Sequence, residues 1–152
     1  MSSSKITRLL LIRHAEVEER YQKNFGGRID LNLSPRGHEQ ANLLADFLRG
    51  KKIDAIYASP MKRVQQTLAS FLQTGALPQK IMPGLREVDF GDWTGLNWEQ
   101  VREKFGVHPY DWLDEIERGA VPGGETAMDF RARVEPCLNE IIEKNPGKTA
   151  AI

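Results

Sequence analysis

Apolar positions run along the chain in two alternating rhythms. Leu9-Leu10-Leu11-Ile12 is an unbroken apolar run, the pattern of a strand covered on both faces of a parallel sheet. After a polar stretch, Ser34-Pro35 forms a helix start, with serine at the N-cap and proline at the first helical position, where its missing N–H costs nothing. Ala41, Leu44, Ala45 and Leu48 recur at helical spacing, and Gly50 closes the element. Ile53 to Ala58 predicts a second strand. Ser59-Pro60 repeats the start signal, and Val64, Leu68, Phe71 and Leu72 supply the buried stripe of the next helix. A weaker signal places a short strand at Lys80 to Met82.

From Leu85 to Gly119 the chain is rich in Gly, Trp and charge, and predicts short helices over Trp98 to Phe105 and Tyr110 to Arg118. Thr126 with Asp129 resembles a capping box. It opens a helix with Phe130, Val134, Leu138 and Ile141 on one face, and with Pro136 placed to bend it. Pro146-Gly147 ends that helix, and Lys148 to Ile152 starts another strand. This alternation predicts an α/β fold, a mostly parallel sheet with helices on both faces. No repeat, low-complexity tract or linker divides the 152 residues, which suffice for one domain with a buried core.

Composition narrows the function classes. Lys+Arg and Asp+Glu both number 21, a formal charge of zero, which argues against a general nucleic-acid binder but leaves room for a local anion site. The lone Cys137 precludes an internal disulfide, fits a reducing compartment, and lies on an apolar helical face as a structural thiol. The run at Leu9 falls far short of the about 20 apolar residues that cross a bilayer, and it lacks the longer apolar core and small-residue cleavage site of a secretory signal. The expectation is a cytoplasmic protein with no membrane and no nucleic-acid partner.

Three constellations carry chemistry. Arg13-His14 directly follows the first strand, and ligands of open parallel sheets bind beyond the strands' carboxyl ends. Arginine offers a planar fork for phosphate oxygens, and neutral imidazole is a nucleophile. Alone, the pair fits a structural histidine equally. Ala58 to Arg63 forms a second strand-to-helix junction, where free N–H groups favour an anion. Arg63 in a first turn opposes the helix dipole, so either an anion balances it or it is a surface side chain. Third, Glu87 lies in the loop Leu85 to Gly95, where a partly apolar setting can raise a carboxyl pKa and make a proton donor, though by itself it reads as an ordinary loop carboxylate.

In this order the pieces resemble a known family. Leu11-Ile12-Arg13-His14-Ala15-Glu16 is similar to the signature of the histidine phosphatase superfamily, the phosphoglycerate mutase-like proteins, whose usual form is Arg-His-Gly-Glu. The match continues through Gly27, Asp30, Leu33-Ser34, Gly37 and Gln40-Ala41. It goes on through Ser59 to Arg63, Gln66-Thr67, Leu85, Glu87, Gly91, Trp93 and Gly95, and then through Pro122 to Thr126 and Arg133.

The resemblance implies a phosphoglycerate mutase-like fold and a phosphatase that works through a phosphohistidine on His14 without metal or other cofactor. Arg13 and Arg63 would hold the phosphoryl oxygens, and Glu87 would protonate the leaving alkoxide. The substrate would be a small phosphate ester. Mutase-type phosphoryl transfer and non-catalytic phosphate binding stay open.

Three departures flank His14. Ala15 stands for the usual glycine, Val17 for a serine or threonine, and Arg20 stands near the place of a phosphate-contacting asparagine, where it could restore anion affinity or simply point to solvent. Family members also carry a second active-site histidine just beyond the strand begun at Lys148, and His38 and His108 do not occupy that position. The expectation is a domain incomplete at its C-terminus, with its final part missing, and hence little phosphatase activity and poor solubility.

Overall fold

Ser34 caps the first long helix as its sequence dictates. Its Oγ accepts the Gly37 N–H at 2.9 Å, satisfying one of the donors that a helix start leaves over. The computed structural model describes residues 5–73, 75, 77–108 and 110–152. Strand β1 (Arg8–Leu10) leads to helix α1 (Pro35–Arg49), strand β2 (Ala55–Ala58), helix α2 (Lys62–Leu72) and strand β3 (Gln79–Ile81). Helices α3 (Trp98–Phe105), α4 (Trp112–Glu117) and α5 (Ala127–Lys144) follow, then strand β4 (Thr149–Ala151).

The four strands form one sheet in the order β1-β4-β2-β3, every neighbour parallel. Leu9 pairs with Ala150, and Ile56 with Ala151. Strand β4 therefore sits between the two strands that lead toward the Arg13-His14 and Arg63 loops.

Side chains alternate across β2, as period-two geometry requires. Ile56 and Ala58 pack with Ala45 and Leu48 of α1 and with Leu68 and Phe71 of α2. Tyr57 points the other way, into a cluster with Met82, Ala150 and Ile141 of α5. Helices thus cover both faces. Ile141 is fully buried, and burial of such a side chain contributes about 1.5–3 kcal/mol. A third cluster gathers around Trp93 and includes Phe25, Val88, Phe90, Val101, Ile116 and Val121. It gives the loop-rich stretch after β3 a core of its own.

Three expectations change. Leu11, 76% exposed, is the uncovered member of the first apolar run: Leu9 packs toward Tyr57 and Ile141 and Ile12 toward the α1 and α2 face, while β1 lies at the sheet's edge. Phe130, Val134 and Leu138 are half-buried, leaving Ile141 as the fully enclosed member of the α5 stripe. Helix α2 begins at Lys62 rather than at Pro60, and its N-cap, Met61, offers no side-chain cap. The missing cap comes from elsewhere: Asp30 Oδ1 accepts the Lys62 N–H at 2.8 Å.

Candidate active site

Beyond β1 the sheet ladder continues for two residues. The Ile152 N–H donates to Leu10 O and the Ile12 N–H to Ile152 O, at 2.9 and 2.8 Å. Arg13 and His14 then leave the sheet. The turn after them is held on three sides. The Ala15 N–H donates to Thr67 Oγ1 at 3.0 Å, the Glu16 N–H to Gln40 Oε1 at 2.9 Å, and Ser34 Oγ to Glu16 Oε1 at 2.7 Å. A Cβ on Gly37 would lie 2.0 Å from Glu16 O, so only glycine lets α1 approach this turn.

The His14 Nδ1–H donates to Ala15 O at 2.8 Å. A carbonyl can only accept, so the bond places the proton on Nδ1 and leaves the Nε2 lone pair free. Burial draws the His14 pKa below its ordinary 6.5. The charges of Arg63 and Arg13 act in the same direction, against the Ala15 bond and the Glu87 carboxylate. A neutral imidazole results, which is the form that attacks an electrophile.

Arg63 is 3% exposed. Its Nη1 donates to Ile29 O at 3.1 Å and its Nη2 to Gly27 O at 3.2 Å, while Glu87 Oε2 lies 3.9 Å from Nη2. Gly27 has φ +44°, and a Cβ there would meet Phe90 Cδ2 at 3.1 Å. That glycine lets the loop turn its carbonyl to the guanidinium. Burial lowers the Arg63 pKa, with Glu87 and Asp30 acting against it, yet a guanidinium stays charged. Two neutral carbonyls and one half-exposed carboxylate compensate this buried cation only in part.

His14, Arg13, Arg63 and Glu87 line one cleft of about 240 Å³, walled by Tyr21, Phe25, Leu31, Phe90, Trp98 and Trp112. Arg13 is exposed, and among the described residues it forms no ion pair. A larger hollow of about 460 Å³ flanks His14 on another side. It is lined chiefly by apolar side chains, Leu11, Ile12, Val64, Leu68, Leu85 and Ile152, and includes neither Arg63 nor Glu87. The four expected site residues meet only in the smaller of these two hollows.

Arg20 is not brought there. Its side chain is 70% exposed, paired with Glu18 at 3.5 Å and placed over the Tyr21 ring, so a local carboxylate and an aromatic face claim it. His38 and His108 are exposed and outside the cleft. The free amide expected at the α2 start is occupied by Asp30. The Ala15 methyl causes no crowding, for it is buried beside Leu33 and Ala41. Asp30, Thr67 and Gln40 stand in the family pattern, but the sequence assigned them no role, since each acts on backbone distant along the chain.

Known proteins resemble this chain closely. Phosphoserine phosphatase 1 of Hydrogenobacter thermophilus is 32% identical over 97% of the chain, which spans 70% of that protein. A 2,3-bisphosphoglycerate-dependent phosphoglycerate mutase of Cytophaga hutchinsonii is 34% identical over 89% of it, and the chain spans 64% of that relative. The crystal structure of the alpha-ribazole phosphatase from Shigella flexneri superposes with a TM-score of 0.81 at 28% identity, over 95% of this chain and 72% of that one. Fold and relatives define an α/β protein of the phosphoric monoester hydrolase class. The pattern of the histidine phosphatase superfamily (branch 1) matches residues 9–152, and the chain belongs to that family.

Proposed function

We propose that this protein hydrolyses a small phosphomonoester without a metal, through a phosphohistidine on His14. One observation carries the reading: a neutral imidazole, its Nδ1–H tied to Ala15 O, shares a cleft with the buried Arg63, with Arg13 and with Glu87.

In the first step the His14 Nε2 lone pair forms a bond to phosphorus in line with the ester oxygen. The P–O bond breaks, and its electron pair leaves on the alkoxide, which takes a proton from the Glu87 carboxyl. Arg13 and Arg63 hold the equatorial oxygens, where charge develops. In the second step water attacks the phosphorus and Glu87 takes its proton. The N–P bond breaks back to Nε2 and releases inorganic phosphate. General acid–base help of this kind is worth about 10²–10⁴-fold.

Relatives and structural neighbours named for phosphoserine and alpha-ribazole support a phosphorylated alcohol as the substrate class. The mutase relative favours a second reading, in which the phosphoryl group passes to another hydroxyl rather than to water. Among the described residues, Arg13 and Arg63 are the cationic side chains lining the cleft. That pair matches the single phosphoryl group of a monoester, which favours hydrolysis. The single cysteine fits action in a reducing compartment, the cytoplasm.

The test is a rapid-quench experiment with a radiolabelled phosphate ester. An acid-labile, base-stable label on His14, absent from His14→Gln, is the expected result. Turnover without a labelled histidine, or a label that persists in the variant, overturns the proposal.

A further inference from the structure

We propose that Arg133, locked to Glu125, is a positioning residue that fixes the loop carrying Glu87 and so governs proton delivery to the leaving group. This inference rests on the reading of Glu87 as the proton donor.

Arg133 lies on α5, outside the cleft lining, yet all five of its N–H donors are engaged. Nη1 donates to Gly84 O at 2.8 Å and to Arg86 O at 2.7 Å. Nη2 donates to Glu87 O at 3.0 Å and to Glu125 Oε2 at 2.7 Å, and Nε donates to Glu125 Oε1 at 2.5 Å. Glu125 closes the arrangement from the other end of the loop. Its Oε2 accepts the Asp89 N–H at 3.2 Å, and its own N–H donates to Asp89 O at 2.8 Å. One ion pair therefore holds backbone at residues 84, 86, 87 and 89, on both sides of the acid.

The Glu87 side chain has little anchorage of its own. It is 45% exposed, accepts among the described residues only the Val88 N–H at 3.2 Å, and stands 3.9 Å from Arg63. Where its carboxyl lies is thus set by where its backbone is held, and Arg133 holds it. The pair is itself well buried, with Glu125 8% and Arg133 21% exposed at the side chain. Close approach of the loop to α5 is built in as well: a Cβ on Gly84 would fall 2.5 Å from Cys137 Sγ and 2.6 Å from Arg133 O. A guanidinium matches this task because its rigid fork can serve several carbonyls and a carboxylate together, which an ammonium cannot.

A structural strap and a positioning device differ in what they do to leaving groups of unequal basicity. A dinitrophenolate departs without a proton, whereas an alkoxide does not. Arg133→Met is expected to slow His14 phosphorylation by an alkyl phosphate about 10²-fold, but by a dinitrophenyl phosphate less than about threefold. Arg133→Lys should recover only part of the loss. In a Glu87→Gln background the Arg133→Met effect on the alkyl ester should vanish, because the two residues then act on one step. Equal losses on both esters, or full additivity with Glu87→Gln, overturn the inference.

Amide hydrogen exchange gives a readout that does not depend on activity. Val88 and Asp89 should exchange faster in Arg133→Met, while Ile56 and Tyr57 of β2 keep their protection. Glu125→Gln, which leaves the arginine in place, should loosen the same two amides if Arg133→Met folds poorly. Native protection at Val88 and Asp89 in both variants overturns the inference whatever the kinetics. If the unaltered protein phosphorylates His14 from neither ester, it is the proposed function that fails, and exchange alone decides the role of Arg133.

Discussion

The hydroxyl of Thr67 joins the two halves of the site: it accepts the Ala15 N–H at 3.0 Å and donates to Arg63 O at 2.7 Å. Thr67 is 3% exposed, so the turn beside the histidine and the helix that bears the arginine are fixed by one buried oxygen. Thr67→Val keeps the shape and removes both bonds, leaving Ala15 N–H unsatisfied at a cost of about 1–3 kcal/mol. Urea denaturation should show that loss. Phosphoryl transfer should fall further than stability alone explains, and an unchanged rate in folded protein would show that the turn needs no such tie.

Asp30 caps α2 from a loop 32 residues earlier. Asp30→Ala is expected to destabilise the protein by about 0.5–2 kcal/mol, the usual worth of a side-chain N-cap. Asp30→Asn retains an acceptor and should lose less. Thermal melts of the two variants side by side check the ordering.

Arg63→Lys keeps the charge but cannot reach Ile29 O, Gly27 O and a phosphoryl oxygen with one planar fork. The expected loss in single-turnover rate is about 10²–10³-fold, the range for removal of one donor that stabilises transition-state charge. Recovery of near-native rates in the lysine variant would show that charge alone suffices.

The acid limb of kcat/KM should lie below pH 6.5, because burial, then Arg63 and Arg13, lower the His14 pKa in the free protein. The stability consequence follows the same sign. Between the depressed folded value and 6.5 the unfolded chain binds the extra proton, so stability rises with pH through that window and levels off above it. His14→Gln should abolish this part of the slope. Denaturation midpoints compared across mildly acidic and neutral pH provide the measurement.

The fold was legible where local pattern and tertiary environment agree. Ser34-Pro35 announced α1 because the cap is made within three residues, and Ile53 to Ala58 announced β2 because that strand is covered on both sides. Leu11 misled because an unbroken apolar run does not tell which of its members the helices cover. Arg13, His14, Arg63 and Glu87 were legible as chemistry placed at strand ends and in a loop, and the structure gathers them in one cleft. Arg20 looked equivalent on sequence position, but Glu18, two residues away, is the nearer partner. Asp30 and Thr67 stood in the family match without a role, for the opposite reason, since their partners lie 32 and 52 residues distant.

Strand β4 runs down the middle of the sheet, hydrogen-bonded to β1 on one side and to β2 on the other. The ladder from β1 to β2 is open unless residues 149–151 lie between them. Such long-range closure is slow relative to local helix formation. The imidazole and its buried guanidinium are thus held in register by a strand far along the chain from both.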